Sequence, residues 1–308
     1  MPGAAPRVMV VVGPTASGKS ALALELAARL PVEIVCCDSQ QVYVGMDIGT
    51  GKPTAADRAA VRHHLLDVVS PTETFQAARW AALARAAIGE IVARERVPVI
   101  VGGTGLYLRA LLVGLFEAPP PDAAIRQRHR DEAERAGVPA LHARLTAIDP
   151  ETAARVQPQD LLRISRALEV QEQTGLSMSA LRRTQAAPPA IHAETLVLDP
   201  ALPALRERIA ARFDDMMAAG FLDEVSGLRN RFGSDARALQ ALGYRQLGEH
   251  LDGRLTLDEA IIASKSATAA YARRQRTWFR QDAQAWRADA TPDPAQVVAW
   301  WSRGATGT

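Results

Sequence analysis

Eight residues near the start of the chain have the types and spacing of a phosphate-binding loop. They fit the pattern G-x-x-x-x-G-K-[ST], in which glycines let successive backbone N–H groups turn toward an anion. The lysine adds a positive charge, and the final hydroxyl can bind Mg²⁺. The residues predicted to hold the phosphate group are Gly13, Pro14, Thr15, Ala16, Ser17, Gly18, Lys19 and Ser20, with Ser20 as the magnesium ligand. The motif marks many ATP-binding proteins, so it predicts phosphate binding without identifying the phosphate compound.

Two aspartates, Asp38 and Asp199, follow short apolar segments of the chain. Nucleotide-hydrolysing enzymes with this loop place a metal-binding aspartate after such a segment. The apolar segment 97–101 ends instead in Gly102–Gly105, so either aspartate could be that ligand. The ends of parallel strands share one edge of a sheet, and we therefore expect Asp38 and Thr104 to face the phosphate loop. Thr104 could also cap a helix after the glycine turn.

A third group of residues is basic and aromatic. Segment 273–280 contains four arginines, one tryptophan and one phenylalanine, and it has no acidic residue. Arginine beside aromatic side chains suits contact with RNA phosphates and stacking on bases. A solvated helix end with buried aromatic side chains fits the same pattern.

Apolar runs predict the strands that must position these residues. The runs 8–12, 32–37 and 97–101 are continuous, which is typical of parallel strands covered on both faces. Helical spacing predicts one helix that ends at Pro31 and a second over about 74–95. Strands that alternate with helices predict right-handed crossovers and a parallel sheet.

Later segments extend this arrangement. Residues 196–198 predict a further short strand. A capping box that starts at Thr256 predicts a helix running toward Arg280.

Prolines divide the chain into parts. Pro119-Pro120-Pro121 and Pro188-Pro189 bracket a stretch with helical patterning and without a strand pattern. We predict an α/β fold, a P-loop NTPase-like parallel sheet flanked by helices with an inserted all-helical lobe. A single domain, in which these helices pack on the sheet, is the alternative. The predicted parts are 1–121, the first part of the core domain, 122–187, the helical lobe on two stiff linkers, and 188–308, the second part of the core domain with a mostly helical C-terminal region.

Composition narrows the class of protein. The formal net charge is only +2, so a site for a polyanion must come from local clustering of basic residues. Cys36 and Cys37 are adjacent and cannot form a disulfide framework, which favours a reducing compartment and thiols without a redox role. The chain has no apolar stretch long enough to span a membrane. We expect a cytoplasmic protein with no membrane partner.

Several segments, taken in order along the chain, closely resemble the tRNA dimethylallyltransferase (isopentenyltransferase) family. Besides the phosphate loop they are Asp38–Tyr43, Gly45–Thr50, Gly102–Tyr107, Arg166–Glu169, Gly243–Arg245 and Arg273–Arg280. The resemblance covers nearly the whole chain and is to the compact bacterial form.

The resemblance implies a prenyl transfer. Members of the family move a dimethylallyl group from its diphosphate to the exocyclic N6 of the adenosine 3′ to the anticodon in tRNA. The phosphate loop would then hold the donor diphosphate with Mg²⁺, Asp38 would take the N6 proton, and Thr104 and Arg126 would lie beside the reacting centre. The residues implied to contact tRNA are Asp38, Ser39, Gln40, Gln41, Thr104, Arg126, Arg163, Arg166, Gln240, Gly243, Tyr244, Arg245, Arg273, Arg274, Gln275, Arg276, Thr277, Trp278, Phe279 and Arg280.

Three other functions are compatible with the residues alone. They are a P-loop kinase of small molecules, an adenylate isopentenyltransferase and an RNA-binding module without turnover. The resemblance favours tRNA modification by a monomer whose partners are the tRNA anticodon stem-loop and dimethylallyl diphosphate.

Overall fold

The computed structural model describes residues 5–115, 118–184 and 190–304. The chain folds as two compact units, one formed by Met1–Leu112 with Pro189–Thr308 and the other by Val113–Pro188. The stretch 122–187, expected from the prolines to be a helical lobe, falls within the bounds of the second unit. The expected linker Pro188-Pro189 lies outside the described residues.

The first unit is built around a sheet that, in the described residues, has six strands and only parallel pairs. In chain order the strands are β1 (Arg7–Val12), β2 (Val32–Cys37), β3 (His63–His64), β4 (Val97–Gly102), β5 (His192–Leu198) and β6 (Trp286–Ala288). Their order across the sheet is β3-β2-β4-β1-β5-β6. Strands β1, β2 and β4 are almost wholly buried, as their continuous apolar runs predict. The predicted α/β fold with a parallel sheet is confirmed.

Helices flank the sheet and make up the second unit. In chain order they are α1 (Lys19–Ala27), α2 (Ala55–Ala60), α3 (Ala77–Ala93), α4 (Gly105–Leu112), α5 (Ala123–Ala136), α6 (Val138–Ile148), α7 (Pro150–Ala153), α8 (Leu161–Thr174), α9 (Met178–Thr184), α10 (Leu202–Ala218), α11 (Phe221–Phe232), α12 (Tyr244–Leu251), α13 (Leu257–Phe279) and α14 (Pro294–Gly304), with a 3₁₀ turn at Arg237–Gln240. Helices α5 to α9 belong to the second unit. None of the helices in the described part of the chain is long and apolar enough to cross a membrane.

The second unit has a core of its own. Leu141, Leu145, Ile164 and Leu168 are buried together in one apolar cluster. Helices α5, α7 and α8 are capped by aspartates; for example, Asp122 accepts hydrogen bonds from the first backbone N–H groups of α5. Such caps satisfy donors that a helix start leaves unpaired.

Helix α3 fixes the end of β2 from one side of the sheet. The indole N–H of Trp80 donates to the carbonyl of Cys36 at 3.0 Å, and the Trp80 ring stacks on Tyr107 with centroids 5.0 Å apart. Cys36 and Cys37 are both buried and free. Burial raises the pKa of Cys36 to about 12, so its thiol stays protonated and unreactive near neutral pH.

Three strands differ from the sequence prediction. Strand β5 begins at His192 rather than at 196, because it pairs with β1 from its first residue. Its first four residues are polar or partly exposed, so hydropathy carries no strand signal there. Strands β3 and β6, of two and three residues, lie at the sheet edges and form only through pairing with a neighbour.

The long C-terminal helix agrees with its prediction. The Thr256 hydroxyl accepts from the backbone N–H of Glu259, and the Glu259 carboxylate accepts from that of Thr256 at 2.8 Å. This capping box starts α13, and Arg280 is the C-cap residue.

Candidate active site

The phosphate loop connects the end of β1 to the start of α1. Gly18 is the residue before the helix and has φ 96°, a left-handed conformation that glycine adopts without steric cost. The Lys19 ammonium donates to the carbonyl of Pro14 at 2.6 Å, inside the loop. Burial lowers the pKa of Lys19 to about 7, with a further lowering by Arg212, while Asp38 acts in the opposite direction. The lysine, Arg212 and Asp38 therefore share one electrostatic environment.

The loops after β2 and β4 are tied to each other. The backbone N–H of Thr104 donates to the carbonyl of Cys37 at 3.2 Å, and the N–H of Ser39 donates to the Thr104 hydroxyl at 3.0 Å. These bonds hold Asp38, which lies between Cys37 and Ser39, close to Thr104. The pairing of β2 with β4 brings the two loops together at the carboxyl edge of the sheet.

The Asp38 carboxylate is oriented by its own loop. Its Oδ1 accepts hydrogen bonds from the backbone N–H groups of Gln40 at 2.8 Å and Gln41 at 3.4 Å. Among the described residues Oδ2 has no hydrogen-bond partner, so one oxygen is fixed and the other is available to a ligand.

A cavity of about 470 Å³ joins these elements. Lys19 and Ser20 of the phosphate loop line it together with Asp38. The side-chain Oε1 of Gln40, another lining residue, is buried without a hydrogen-bond partner in the described structure. A buried acceptor of this kind is costly unless a donor satisfies it, and a ligand in the cavity could supply that donor.

Among the cavity residues that the sequence analysis did not identify are Arg212 and Tyr271. Arg212 of α10 directs its guanidinium to the Thr15 hydroxyl at 3.4 Å and to the carbonyl of Thr50 at 3.3 Å. Tyr271 of α13 lines the cavity near Thr104, and burial raises the pKa of Tyr271 to about 12. Arg212 belongs to an ordinary amphipathic helix with no motif, so nothing in the sequence pointed to it. Tyr271 lies just before the basic and aromatic segment, which was the available signal.

Segment 273–280 forms the C-terminal end of α13, where some of its side chains are exposed and others point inward. The outward side chains are Arg273, Arg274, Thr277, Trp278 and Arg280. Gln275 and Phe279 are buried, with 6% and 4% of their surface exposed. Arg276 forms an ion pair with Asp199, the residue after β5. Asp199 therefore pairs with α13, and it is not among the residues that line the cavity.

The residues around α12 likewise include both exposed and buried side chains. Gln240 and Arg245 are exposed, whereas Tyr244 is only 1% exposed. The Tyr244 hydroxyl donates to Glu224 at 2.6 Å, and that carboxylate also accepts from three backbone N–H groups of 47–49. Gly243, with φ 84°, donates its N–H to Gln246 at 2.9 Å and starts α12. Tyr244 thus holds the 47–49 loop from inside, and it also lines the cavity.

Three predicted site residues belong to the second unit. Arg126 and Arg166 both form ion pairs with the buried carboxylate of Glu169, at 3.1 and 2.6 Å. Arg163 is exposed and lies 3.4 Å from Asp160. Two guanidinium groups on one carboxylate leave an excess positive charge, which suits an anionic ligand.

The chain is similar to known proteins over nearly its full length. The family model described as IPP transferase matches residues 41–282. A tRNA dimethylallyltransferase of Sorangium cellulosum is 48% identical over 92% of this chain and 91% of its own length. One of Anaeromyxobacter dehalogenans is 52% identical over 90% of this chain and 92% of its own length.

Solved structures show the same likeness. The tRNA isopentenylpyrophosphate transferase of Bacillus halodurans is 37% identical and has a TM-score of 0.69, with 98% of this chain and 96% of that one covered. A eukaryotic dimethylallyltransferase acting on tRNA is 26% identical and has a TM-score of 0.74, with 98% and 78% covered. Family model, relatives and structures agree, and the chain belongs to the IPP transferase family.

Proposed function

We propose that this chain transfers a dimethylallyl group from dimethylallyl diphosphate to N6 of the adenosine 3′ to the anticodon in tRNA. The products are N6-isopentenyladenosine and diphosphate. The observation that carries this proposal is that one cavity contains both the phosphate loop and the Asp38 carboxylate. The similarity to tRNA dimethylallyltransferases supports the choice of donor and acceptor.

The phosphate loop is proposed to hold the donor diphosphate. As the allylic C–O bond breaks, its electron pair goes to the diphosphate oxygen, and negative charge grows there. Lys19, Arg212 and the loop N–H groups are positioned to stabilise that charge, and such preorganised donors are a major source of catalysis.

Asp38 is proposed to be the general base. The lone pair of the adenine amine is delocalised into the ring, so N6 is a weak nucleophile. A carboxylate that accepts an N6–H hydrogen bond aims the nitrogen and takes the proton while the N6–C bond forms. Oδ2 suits this role because Oδ1 is already held by Gln40 and Gln41. Thr104, held against the same loop, is proposed to steady the leaving oxygen.

Magnesium is proposed as the cofactor, with Ser20 as its protein ligand. Ser20 is exposed, lies in the first turn of α1 and lines the cavity. Mg²⁺ prefers hard oxygen ligands and is usually held by few protein groups together with substrate phosphates, so the site fits it. Bound there, the ion would neutralise charge on the diphosphate.

The acceptor is proposed to reach the cavity from the RNA-facing surface, which we define as Arg273, Arg274, Thr277, Trp278, Arg280, Gln240 and Arg245. The target base must leave its loop to react, and a cavity that reads the base edge favours this extrusion. Ser39, Gln40 and Gln41 are polar groups beside the proposed base. Arg126, Arg163 and Arg166 are proposed as further anion contacts of the second unit, in a monomeric cytoplasmic enzyme.

One assay separates this function from its rivals. The protein is incubated with labelled dimethylallyl diphosphate and, in separate reactions, with tRNA, AMP or a simple alcohol. We expect label only in tRNA. Transfer to AMP would indicate an adenylate isopentenyltransferase. In a parallel reaction with labelled ATP in place of the prenyl donor, phosphorylation of the alcohol would indicate a kinase. A protein that binds tRNA without transfer to any acceptor would be an RNA-binding module.

A further inference from the structure

The side-chain amide of Gln275 joins two loops of the candidate active site. Its Oε1 accepts from the backbone N–H of Thr15 at 2.9 Å, and its Nε2 donates to the carbonyl of Gly103 at 2.9 Å. Thr15 belongs to the phosphate loop, and Gly103 precedes Thr104. Gln275 is 6% exposed and also lines the cavity.

The neighbouring backbone restricts which side chain can make these two hydrogen bonds. A Cβ at Gly103 would lie 2.1 Å from the Gln275 Nε2, so glycine is needed for the amide to approach. Only a group that accepts and donates at once can make both bonds, and the amide does so without charge. Replacing it with an apolar side chain would leave the partly buried Thr15 N–H and the buried Gly103 carbonyl unpaired.

The bridge has a consequence for the phosphate loop. Backbone N–H groups of such a loop ordinarily point at the anion. Here the Thr15 N–H is turned toward α13 instead, which leaves the later N–H groups of the loop and Lys19 for the diphosphate. The bridge also fixes the distance between this loop and the backbone that precedes Thr104.

We propose that Gln275 is a positioning residue, which sets the phosphate loop against the Thr104 loop so that the bound diphosphate faces Asp38. This inference rests on the proposed function for its activity readout. Gln275 lies between Arg274 and Arg276 in sequence but points inward, so its role differs from RNA contact. It acts through the two loops and does not itself touch the reacting atoms.

The first test is Gln275→Met, which keeps the length of the side chain and removes both hydrogen bonds. We expect kcat for prenyl transfer to fall roughly 10- to 100-fold, since small displacements of reacting groups cost this much. The KM for tRNA should stay within about twofold, as for a change away from the RNA-facing surface. The matched control is Ser264→Ala. This change removes the buried hydrogen bond from the Ser264 hydroxyl to the carbonyl of Ala260 within α13, and Ser264 does not line the cavity.

The second test is Gln275→Glu, measured against pH. An ionised carboxylate accepts from Thr15 but repels the Gly103 carbonyl, whereas a protonated carboxyl can accept and donate as the amide does. The ratio of variant to wild-type kcat should therefore rise as pH falls toward 5, because the repulsion raises the pKa of the new carboxyl. Lys19, Asp38, Arg212 and Arg274 share the cavity with the new carboxyl, and Arg276 pairs with Asp199; all are present in both proteins, so the ratio compares two chains that differ only at position 275.

A third readout does not depend on turnover. Inorganic pyrophosphate should bind Gln275→Met about tenfold more weakly than it binds Ser264→Ala or the wild type. A loss of this size is expected when a hydrogen-bonding group in the protein interior loses its partner. Unchanged kcat in Gln275→Met, or a Gln275→Glu ratio independent of pH, would overturn the inference. If the wild type transfers nothing to tRNA, the proposed function fails, and pyrophosphate binding alone then decides the role of Gln275. If Gln275→Met does not fold, the Gln275→Glu profile decides it.

Discussion

The backbone N–H of Ser39 donates to the hydroxyl of Thr104 at 3.0 Å. This bond joins the residue after Asp38 to the residue that follows Gly102 and Gly103 at the end of β4. The two are 65 positions apart in the chain and meet because β2 and β4 are neighbours in the sheet. The proposed base and the proposed diphosphate contact are thus held by one hydrogen bond, and small changes in either loop should affect both.

Asp38→Asn should fold normally and lose prenyl transfer. The asparagine carbonyl can still accept from Gln40 and Gln41, so the loop keeps its conformation. The amide cannot take the N6 proton, and we expect transfer to slow by roughly 10²–10⁴-fold. Single-turnover rates with saturating substrates measure this. Near wild-type transfer with a strongly shifted magnesium dependence would instead identify Asp38 as a metal ligand.

Lys19→Met should weaken the donor site and spare the acceptor. Its ammonium is the positive charge inside the phosphate loop, so we expect transfer to fall on the order of 10²–10³-fold, as for loss of one strong transition-state donor. Binding of tRNA, measured by filter retention, should be unchanged. Lys265→Met, which removes a surface ammonium paired with Asp214, is the control. Equal loss of tRNA binding would show that the loop supports the whole unit.

Arg212→Met should raise the KM for dimethylallyl diphosphate more than the KM for tRNA. The guanidinium contacts the Thr15 hydroxyl and the Thr50 carbonyl, beside the phosphate loop. Hydrogen bonds to charged groups contribute about 1.5–3 kcal/mol, which corresponds to roughly 10- to 100-fold in donor affinity. Arg206→Met, on the exposed face of α10, is the matched control. A larger effect on tRNA than on the donor would contradict a donor-side role.

Arg273→Gln with Arg274→Gln should change the salt dependence of tRNA binding, while Arg276→Gln should not. Each phosphate contact releases counterions, and its loss flattens the plot of log affinity against log salt by about 0.7–0.9. Arg276 pairs with Asp199, so its replacement should lower Tm and leave the slope intact. Binding is measured at several salt concentrations for each variant. The same slope in all proteins would remove α13 from the tRNA site.

Glu33→Gln should change how stability depends on acid. Glu33 is 4% exposed and accepts from Arg94 at 2.8 and 2.9 Å and from His64 at 2.7 Å. The hydrogen bonds from Arg94 are the main cause that lowers the pKa of Glu33 to about 2. A depressed carboxyl pKa stabilises the fold above the unfolded value near 4.3 and loses that contribution as pH falls toward 2.

The difference in unfolding free energy between wild type and Glu33→Gln should therefore be larger above pH 5 than at pH 2, by about 3 kcal/mol. Urea unfolding at each pH measures it. Glu25→Gln, a change at an exposed carboxylate, is the control. A constant difference down to pH 2 would mean that the ion pair does not supply the stability.

Local patterns in the sequence determined the phosphate loop, three of the strands and the long helix α13. The phosphate loop was readable because its function requires glycine, lysine and serine at set spacings between a strand and a helix. Strands β1, β2 and β4 were readable because burial on both faces demands continuous apolar runs. The helix α13 was readable from its capping box, since that contact is made within four residues.

The tertiary structure alone decided which residues of these elements face the site. Segment 273–280 reads as one basic patch, yet α13 turns Gln275 inward to Thr15 and ties Arg276 to Asp199. Glutamine and arginine are both strongly polar, so hydropathy does not show which of them points inward. Their orientation depends on partners that lie far away in the chain. The positions of Arg212 and Tyr244 at the site could not be predicted either, because each depends on contacts between separate elements. Spacing along a chain encodes local geometry, whereas contacts between distant segments exist only once the sheet has brought them together.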